Sequence, residues 1–126
     1  MLGGKKIHVN ENNGISRSVV TLSRGARREE KMRHARIYSS LYEHVRSIRV
    51  FNSAALDICY TACGRFDAHI DSDCDFHDYI AGTLIASEAG ATVTDFSGRQ
   101  LEMKKTDFFI ANSSLHGKFL EILRDK

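Results

Sequence analysis

The densest group of ionisable side chains lies in residues 71–78. Its four carboxylates belong to Asp71, Asp73, Asp75 and Asp78. Carboxylates this close repel one another unless the segment is solvated or holds a hard cation. The spacing of the first three matches the start of an EF-hand calcium loop. However, Phe76 stands at the sixth position, where that loop needs glycine, and Gly82 at the twelfth, where it needs glutamate. An EF-hand is therefore excluded, which leaves a solvated acidic turn or another cation site.

A zinc site is the second hypothesis. Cys59 and Cys63 are four residues apart on a predicted helix, and Cys74 precedes His77 by three residues, so both pairs could contact one ion. The spacing is not that of a standard zinc site. Cys59 and Cys63 also fall on the predicted apolar face of their helix, where cysteine packs as a small hydrophobic residue. We therefore favour packing over zinc binding.

Two predicted helix N-termini, at residues 52–55 and at Asp78, could bind an anion. Backbone amides at a helix start are free to donate, the helix dipole favours negative charge, and small side chains let a phosphate approach. Every helix has such an end, so each signal alone is weak. If both helices follow strands that end at one edge of a sheet, however, they line a single cleft, which is where open α/β sheets bind ligands.

The elements that would position these residues alternate along the chain. Strands are predicted at residues 5–9, 18–23, 47–51, 66–70, 91–96 and 108–111, and helices at 26–46, 53–63, 78–88 and 113–123. Residues 71–75 are predicted to form a loop. The alternation indicates an α/β fold, with a mixed, partly parallel sheet covered by helices, in a single domain over residues 1–126.

Turn and cap residues set the predicted helix boundaries. Asn52 or Ser53 would cap the second helix and Gly64 would end it, whereas Ser113 would cap the last. In the first helix, apolar side chains recur at three- and four-residue spacing and predict the face that packs on the sheet. These positions are Met32, Ala35, Tyr38 or Ser39, and Tyr42.

Composition limits the classes of protein. The chain has 126 residues, of which 42% are hydrophobic and 27% charged, as expected for one globular core. No apolar run approaches the roughly 20 residues of a membrane span, and the N-terminus does not resemble a signal peptide. The odd number of cysteines, three, argues against a disulfide framework and for a reducing compartment. We therefore expect a cytoplasmic protein without a membrane partner. The basic stretch 24–49 is interspersed with glutamates, so we interpret it as a solvated helix face and predict no nucleic-acid partner.

Two spaced motifs resemble the inositol monophosphatase family. Residues 52–55 read Asn-Ser-Ala-Ala and residues 64–67 read Gly-Arg-Phe-Asp. They are similar to the family's Gly-(Ser/Thr)-Ala-Ala, followed by a helix and Gly-x-x-Asp. Residues 77–82 read His-Asp-Tyr-Ile-Ala-Gly and 88–91 read Glu-Ala-Gly-Ala. These are similar to the family's C-terminal Trp-Asp-x-Ala-Ala-Gly and Glu-Ala-Gly-Gly.

The resemblance covers nearly the whole chain but only the C-terminal half of the family's enzyme. It implies a Mg²⁺-dependent phosphomonoesterase in which Asp78 is a metal ligand. It also implies that Asn52, Ser53 and Ala54 line the phosphate and substrate cleft, and that Asp71 contacts a substrate hydroxyl. The chain has no proline, so it lacks the family's central Asp-Pro-(Ile/Leu)-Asp-Gly-Thr metal motif. We therefore expect the isolated chain to be inactive and to bind Mg²⁺ weakly.

The chain departs from the family pattern at three positions. Asn52 replaces glycine, His77 replaces tryptophan and Ile80 replaces a small alanine. These changes, and the missing half, leave an alternative: a non-catalytic domain that binds a phosphorylated metabolite or pairs with a catalytic subunit. The expected partners are a small phosphorylated substrate (a sugar or inositol phosphate), and either a second copy or an N-terminal half.

Overall fold

The computed structural model describes residues 6–126, and its core is a five-stranded sheet. The strands are β1 (Val19–Arg24), β2 (Ser47–Arg49), β3 (Ala68–Cys74), β4 (Thr92–Thr94) and β5 (Thr106–Ala111). The helices are α1 (Arg28–Tyr42), α2 (Ala54–Ala62), α3 (Phe76–Glu88) and α4 (Ser113–Leu123), and a short 3-10 turn covers Ile15–Arg17. No helix in residues 6–126 is both long and apolar enough to cross a membrane.

The strand order is β2-β1-β3-β5-β4. Strand β1 runs parallel to β2 and to β3, whereas β5 is antiparallel to both β3 and β4. The predicted mixed, partly parallel sheet is therefore confirmed. Because β1, β2 and β3 are parallel, their carboxyl ends meet at one edge of the sheet, where the loops to α1, α2 and α3 leave it.

Helices cover both faces of the sheet. Val20, Leu22 and Ile70 project from it into one core with residues of α1 and α4. Phe108 and Ile110 project from the other face into a second core with residues of α2 and α3. Alternation along the strands therefore divides the buried side chains between two layers of helices.

The packing face of α1 differs from the predicted one. Met32 is 50% exposed and Tyr42 is 65% exposed, so neither packs on the sheet. The buried positions are instead Glu30, Ile37 and Leu41, whose spacings of seven and four residues also place them on one face of the helix. The apolar spacing allowed more than one side of α1 to face the sheet. Contact with the sheet buries the side that carries Ile37 and Leu41.

The predicted acidic loop at residues 71–75 is wrong, because β3 continues to Cys74. Asp71 is 2% exposed and Ser72 is fully buried. The strand lies between β1 and β5, and both neighbours extend it through backbone hydrogen bonds despite the polar side chains. The register shifts between Asp71 and Cys74, and Asp73 in between adopts a positive φ of 65°. This irregularity is a β-bulge next to the helix α3.

Three local predictions had different outcomes. Gly64 follows the end of α2 with φ of 86°, as predicted for a glycine after a helix. The cap of α4 is Asn112, whose side-chain oxygen accepts from the Leu115 N–H at 2.9 Å, and not Ser113. The strand predicted at 5–9 is absent over residues 6–9, and Lys5 lies outside the described residues. There the Val9 N–H donates to the Ala89 carbonyl, without a sheet ladder.

Candidate functional site

A cleft of about 570 Å³ opens at the carboxyl ends of the parallel strands. It is lined from three sides: by the end of β1 and the start of α1, by the start of α2, and by the end of β3 with the start of α3. All five residues that the family resemblance singled out line this cleft, namely Asn52, Ser53, Ala54, Asp71 and Asp78. The fold thus brings together residues that are up to 26 positions apart, counting from Asn52 to Asp78.

The start of α2 presents backbone donors to the cleft. Ser53 is the N-cap residue, but its side chain makes no capping hydrogen bond, so it does not occupy the amides of the first turn. The next two residues, Ala54 and Ala55, are small. Asn52 has φ of 54°, in the left-handed region where glycine is favoured and asparagine is tolerated. This conformation explains why asparagine can stand where the family pattern has glycine.

The start of α3 carries Asp78 into the same cleft. The helix begins at Phe76, with Asp75 as N-cap, so Asp78 lies within the first turn and not at the start of the helix as predicted. Its side chain is exposed and free to contact a ligand. A carboxylate at this position is also favoured by the positive end of the helix dipole.

Asp71 forms part of the cleft wall, and its side chain is almost buried. Its Oδ2 lies 3.4 Å from Nε2 of His69, close enough for electrostatic contact. The two atoms are not aligned for a hydrogen bond, and His69 Nε2 has no hydrogen-bond partner among the described residues. The carboxylate of Asp71 is therefore held against an imidazole on its inner side.

Beneath the cleft is a buried polar cluster that sequence reasoning missed. It consists of Thr21, Ser23 and His69, which are strand residues, and of Asp57, which belongs to α2 and packs against them. Nδ1 of His69 lies 2.8 Å from the Thr21 hydroxyl and 3.8 Å from Oδ2 of Asp57. The Ser23 hydroxyl donates to the same Asp57 oxygen at 3.3 Å. Burial raises the pKa of Asp57, and the neighbouring His69 opposes that rise.

A signal for this cluster was present in the sequence. Asp57 falls at a buried position of α2, next to Ile58 and four residues before Thr61, whose hydroxyl donates to the Asp57 carbonyl at 2.8 Å. His69 and Asp71 alternate along β3 and so face the same side of the sheet. A charged residue on the buried stripe of a helix indicates a polar partner in the core.

Sequence reasoning also missed Glu30, which forms part of the cleft wall. Although it belongs to the charged helix α1, Glu30 is only 4% exposed and lines the cleft. Burial acts to raise the pKa of Glu30, but hydrogen bonds from Arg27 and the nearby Lys105 ammonium outweigh it, and the pKa is lowered. Lys105 Nζ lies 3.2 Å from Oε2 of Glu30. The pair closes the cleft on the side of β5.

Asp78 is the kind of oxygen donor that Mg²⁺ prefers, but residues 6–126 do not assemble a full set of metal ligands. Mg²⁺ prefers oxygen ligands in an octahedral arrangement, and Asp78 offers an exposed carboxylate in the cleft. Within residues 6–126, no group of three or more histidine, cysteine or acidic side chains is placed to hold a metal ion. The cysteines of the zinc hypothesis also differ in environment, since Cys59 is exposed and Cys74 is buried. Because Cys59 is exposed, the prediction that it packs as a small hydrophobic residue is wrong.

Comparison with known proteins agrees with this geometry. The profile of the inositol monophosphatase family matches residues 1–126. The chain is 32% identical over 127 residues to an inositol monophosphatase of Mesembryanthemum crystallinum, covering 98% of this chain and 47% of that protein. It is 28% identical over 122 residues to a fructose-1,6-bisphosphatase/inositol-1-monophosphatase of Thermotoga maritima, covering 97% of this chain and 46% of that protein.

Among solved structures, the inositol monophosphatase of Anabaena (Nostoc) sp. PCC 7120 superimposes with a TM-score of 0.88 at 27% identity. That alignment covers 94% of this chain and 48% of the other chain. The chain therefore spans about half the length of the relatives it matches. The predicted family resemblance is confirmed, and the chain belongs to the inositol monophosphatase family.

Proposed function

We propose that this chain is the C-terminal half of a Mg²⁺-dependent phosphomonoesterase that acts on a small phosphorylated substrate such as an inositol or sugar phosphate. The observation that carries the proposal is the convergence of Asn52, Ser53, Ala54, Asp71 and Asp78 on one cleft. Membership of the family supports the reaction class. The names of the relatives, which include an inositol monophosphatase and a fructose bisphosphatase, support the substrate class.

Each group in the cleft has a role that follows from its chemistry. The uncapped first turn of α2 offers N–H donors to phosphate oxygens, next to side chains small enough to permit close approach. The Asp71 carboxylate accepts a hydrogen bond from a substrate hydroxyl, and His69 behind it limits its rotation. Asp78 provides one oxygen ligand for Mg²⁺. When bound, Mg²⁺ stabilises charge on the phosphate and activates water.

The remaining metal ligands must come from outside this sequence, so the isolated chain is proposed to be inactive. We propose that it works together with a polypeptide equivalent to the unmatched half of its relatives. We further propose a reducing, cytoplasmic compartment, which is supported by the three free cysteines.

The test is to join this chain to the half of the Thermotoga maritima relative that it does not match, and to measure Mg²⁺-dependent release of phosphate from inositol monophosphate and fructose bisphosphate. The Asp78→Asn substitution keeps the size of the side chain and removes its charge. Activity should fall by at least about tenfold and recover partly at high Mg²⁺.

The matched control is Asp73→Asn, the same chemical change in the same segment. The Asp73 carboxylate is already engaged by Arg33 at 3.3 Å, and asparagine tolerates its positive φ. This control should retain activity. Full activity of Asp78→Asn at limiting Mg²⁺ would remove Asp78 from the proposed metal site. An inactive hybrid that nevertheless folds and binds substrate would favour the non-catalytic alternative.

A further inference from the structure

The buried polar cluster beneath the cleft continues into the cleft wall. In the register of β1 and β3, Thr21 pairs with His69 and Ser23 pairs with Asp71. Side chains two residues apart on a strand point to the same side, so these four form one polar patch on the sheet. Asp57 of α2 covers the patch, because its Oδ2 accepts from the Ser23 hydroxyl at 3.3 Å and lies 3.8 Å from Nδ1 of His69. Ser23 and Asp71 also line the cleft.

The two carboxylates of this patch share one imidazole as their charged or polar neighbour. Asp57 is fully buried and the Asp71 side chain is 4% exposed. Within residues 6–126, neither carboxylate has a lysine or arginine within salt-bridge distance, and each lies against His69 instead. Burying carboxylates costs free energy that apolar side chains of similar size would not cost. Packing alone therefore does not explain why these three residues are polar.

The imidazole of His69 carries a proton on the nitrogen that faces Asp71. The Thr21 hydroxyl lies 2.8 Å from Nδ1 and can donate to it, which leaves the proton of a neutral imidazole on Nε2. The opposite tautomer would turn the Nε2 lone pair toward Oδ2 of Asp71 at 3.4 Å, where like partial charges repel. A doubly protonated ring also has a proton on Nε2. In either state an N–H group lies beside the Asp71 carboxylate.

This N–H group has no hydrogen-bond acceptor among the described residues, since its contact with Asp71 is not aligned. Buried polar atoms without a partner are rare in folded proteins, and hydrogen bonds in active sites often become aligned only when substrate binds. The Phe108 ring, whose centroid is 5.7 Å from that of the imidazole, restricts how far His69 can move. With Oδ2 of Asp71 beside the imidazole, Oδ1 is the oxygen left to accept from a ligand in the cleft.

Building on the proposed function, in which Asp71 accepts a hydrogen bond from a substrate hydroxyl, we propose that Asp57 and His69 are positioning residues for that carboxylate. Asp57 and the Thr21 hydroxyl hold the imidazole on its Nδ1 side. The Nε2 N–H then holds Oδ2 of Asp71 in place when substrate is bound. The pair therefore strengthens the binding of phosphomonoesters that carry a hydroxyl near the phosphate, and has little effect on phosphomonoesters that lack one.

The test compares two substrates in the hybrid enzyme described above. Inositol monophosphate offers hydroxyls to Asp71, whereas 4-nitrophenyl phosphate offers none. His69→Leu should raise KM for inositol monophosphate about fivefold, and should change its kcat and both constants for 4-nitrophenyl phosphate less than about twofold. His69→Gln keeps an N–H donor near the position of Nε2 and should restore most of the difference. Asp57→Asn keeps the size of the side chain, removes its charge, and should raise KM for inositol monophosphate alone, by about threefold.

Ala62→Leu controls for a general loss of stability, because Ala62 is fully buried in α2 but does not belong to the cluster. It should affect the two substrates equally. Equal effects of His69→Leu on the two substrates, or a loss of selectivity in His69→Gln as large as in His69→Leu, would overturn the proposal. If His69→Leu does not fold, Asp57→Asn makes the same comparison. If Asp71→Ala leaves the ratio of the two KM values unchanged, the proposed function is wrong about Asp71.

Crystal structures of the isolated chain test the positioning without relying on activity. In His69→Leu the Asp71 carboxylate should turn away from position 69, and in His69→Gln it should keep its place. An Asp71 carboxylate that keeps its place in His69→Leu would overturn the proposal. An inactive hybrid would contradict the proposed function, and the crystal structures would then decide the positioning role by themselves.

Discussion

Nε2 of His69 lies 3.4 Å from Oδ2 of Asp71, and both side chains are buried, Asp71 in the wall of the cleft and His69 beneath it. On the other side of the same imidazole, Nδ1 lies 3.8 Å from Asp57. One histidine thus separates a carboxylate of the helix layer from a carboxylate of the cleft. Buried carboxylates need polar or charged neighbours. His69 is such a neighbour for Asp57 in the core and for Asp71 in the cleft wall, so its loss should affect both places.

The first prediction concerns this cluster. His69→Leu removes the polar neighbour of both carboxylates and leaves the Thr21 hydroxyl without its imidazole partner. We expect the free energy of unfolding to fall by about 1 to 3 kcal/mol. Urea denaturation followed by circular dichroism measures this change. The control His44→Leu alters a histidine whose side chain is 45% exposed and should change stability by less than about 0.5 kcal/mol.

The second prediction concerns packing between α2 and the sheet. Ala62 is fully buried, whereas Ala55 on the same helix is exposed. Ala62→Leu should overpack the core and lower the free energy of unfolding by about 1 to 3 kcal/mol. Ala55→Leu, the same substitution on the outer side, should leave the melting temperature nearly unchanged. Equal effects of the two substitutions would contradict the observed orientation of α2.

The third prediction concerns the backbone at Asn52. Because its φ is 54°, a β-branched residue is strained there and glycine is not. Asn52→Val should lower the free energy of unfolding by about 1 to 2 kcal/mol, and Asn52→Gly should be neutral or mildly stabilising. Thermal unfolding of the two variants compares them directly. A stable Asn52→Val would show that the residue leaves the left-handed region at little cost.

The fourth prediction concerns pH. Burial lowers the pKa of His34 and of His116 below the ordinary value of 6.5. The unfolded chain therefore takes up these protons at a higher pH than the folded chain does. Stability should be nearly constant between about pH 7 and 8 and should fall as the pH drops through 6.5, before most carboxylates titrate.

Unfolding in urea at several pH values between 8 and 5 measures this slope. His116→Gln removes one of the two histidines with a lowered pKa. It should make the free energy of unfolding less dependent on pH between pH 8 and 5. The side chain of His116 also contacts Thr94 at 2.8 Å and stacks on Phe109, so the variant should lose some stability at pH 8 as well. An unreduced slope in this variant would show that His116 is not responsible.

The fifth prediction concerns metal binding by the isolated chain. Mg²⁺ gives up its waters reluctantly and needs several oxygen ligands in octahedral positions, but the chain offers no group of three within residues 6–126. Isothermal titration calorimetry should detect no site of micromolar affinity. Tight binding that disappears in Asp78→Asn would instead mean that this chain assembles a magnesium site by itself.

Much of the fold could be predicted from the sequence because its signals are local. Hydrophobic spacing and glycine breaks identified the four helices. Gly64 marked the end of α2, since a positive φ at a helix end favours glycine regardless of what packs around it. The motifs at residues 52–55 and 77–82 indicated the family, and with it the residues that now line one cleft.

Contacts between distant residues decided the rest. The carboxylates of 71–75 suggested a loop, but pairing with β1 and β5 extends β3 to Cys74, because backbone hydrogen bonds on both sides outweigh polar side chains. Which stripe of α1 is buried depends on the sheet beneath it, and spacing alone left that choice open. His69 meets Asp57 only because α2 packs over β3, and no local pattern sets that distance. Sequence therefore determined the elements and the motifs, whereas tertiary packing determined which polar side chains became buried neighbours.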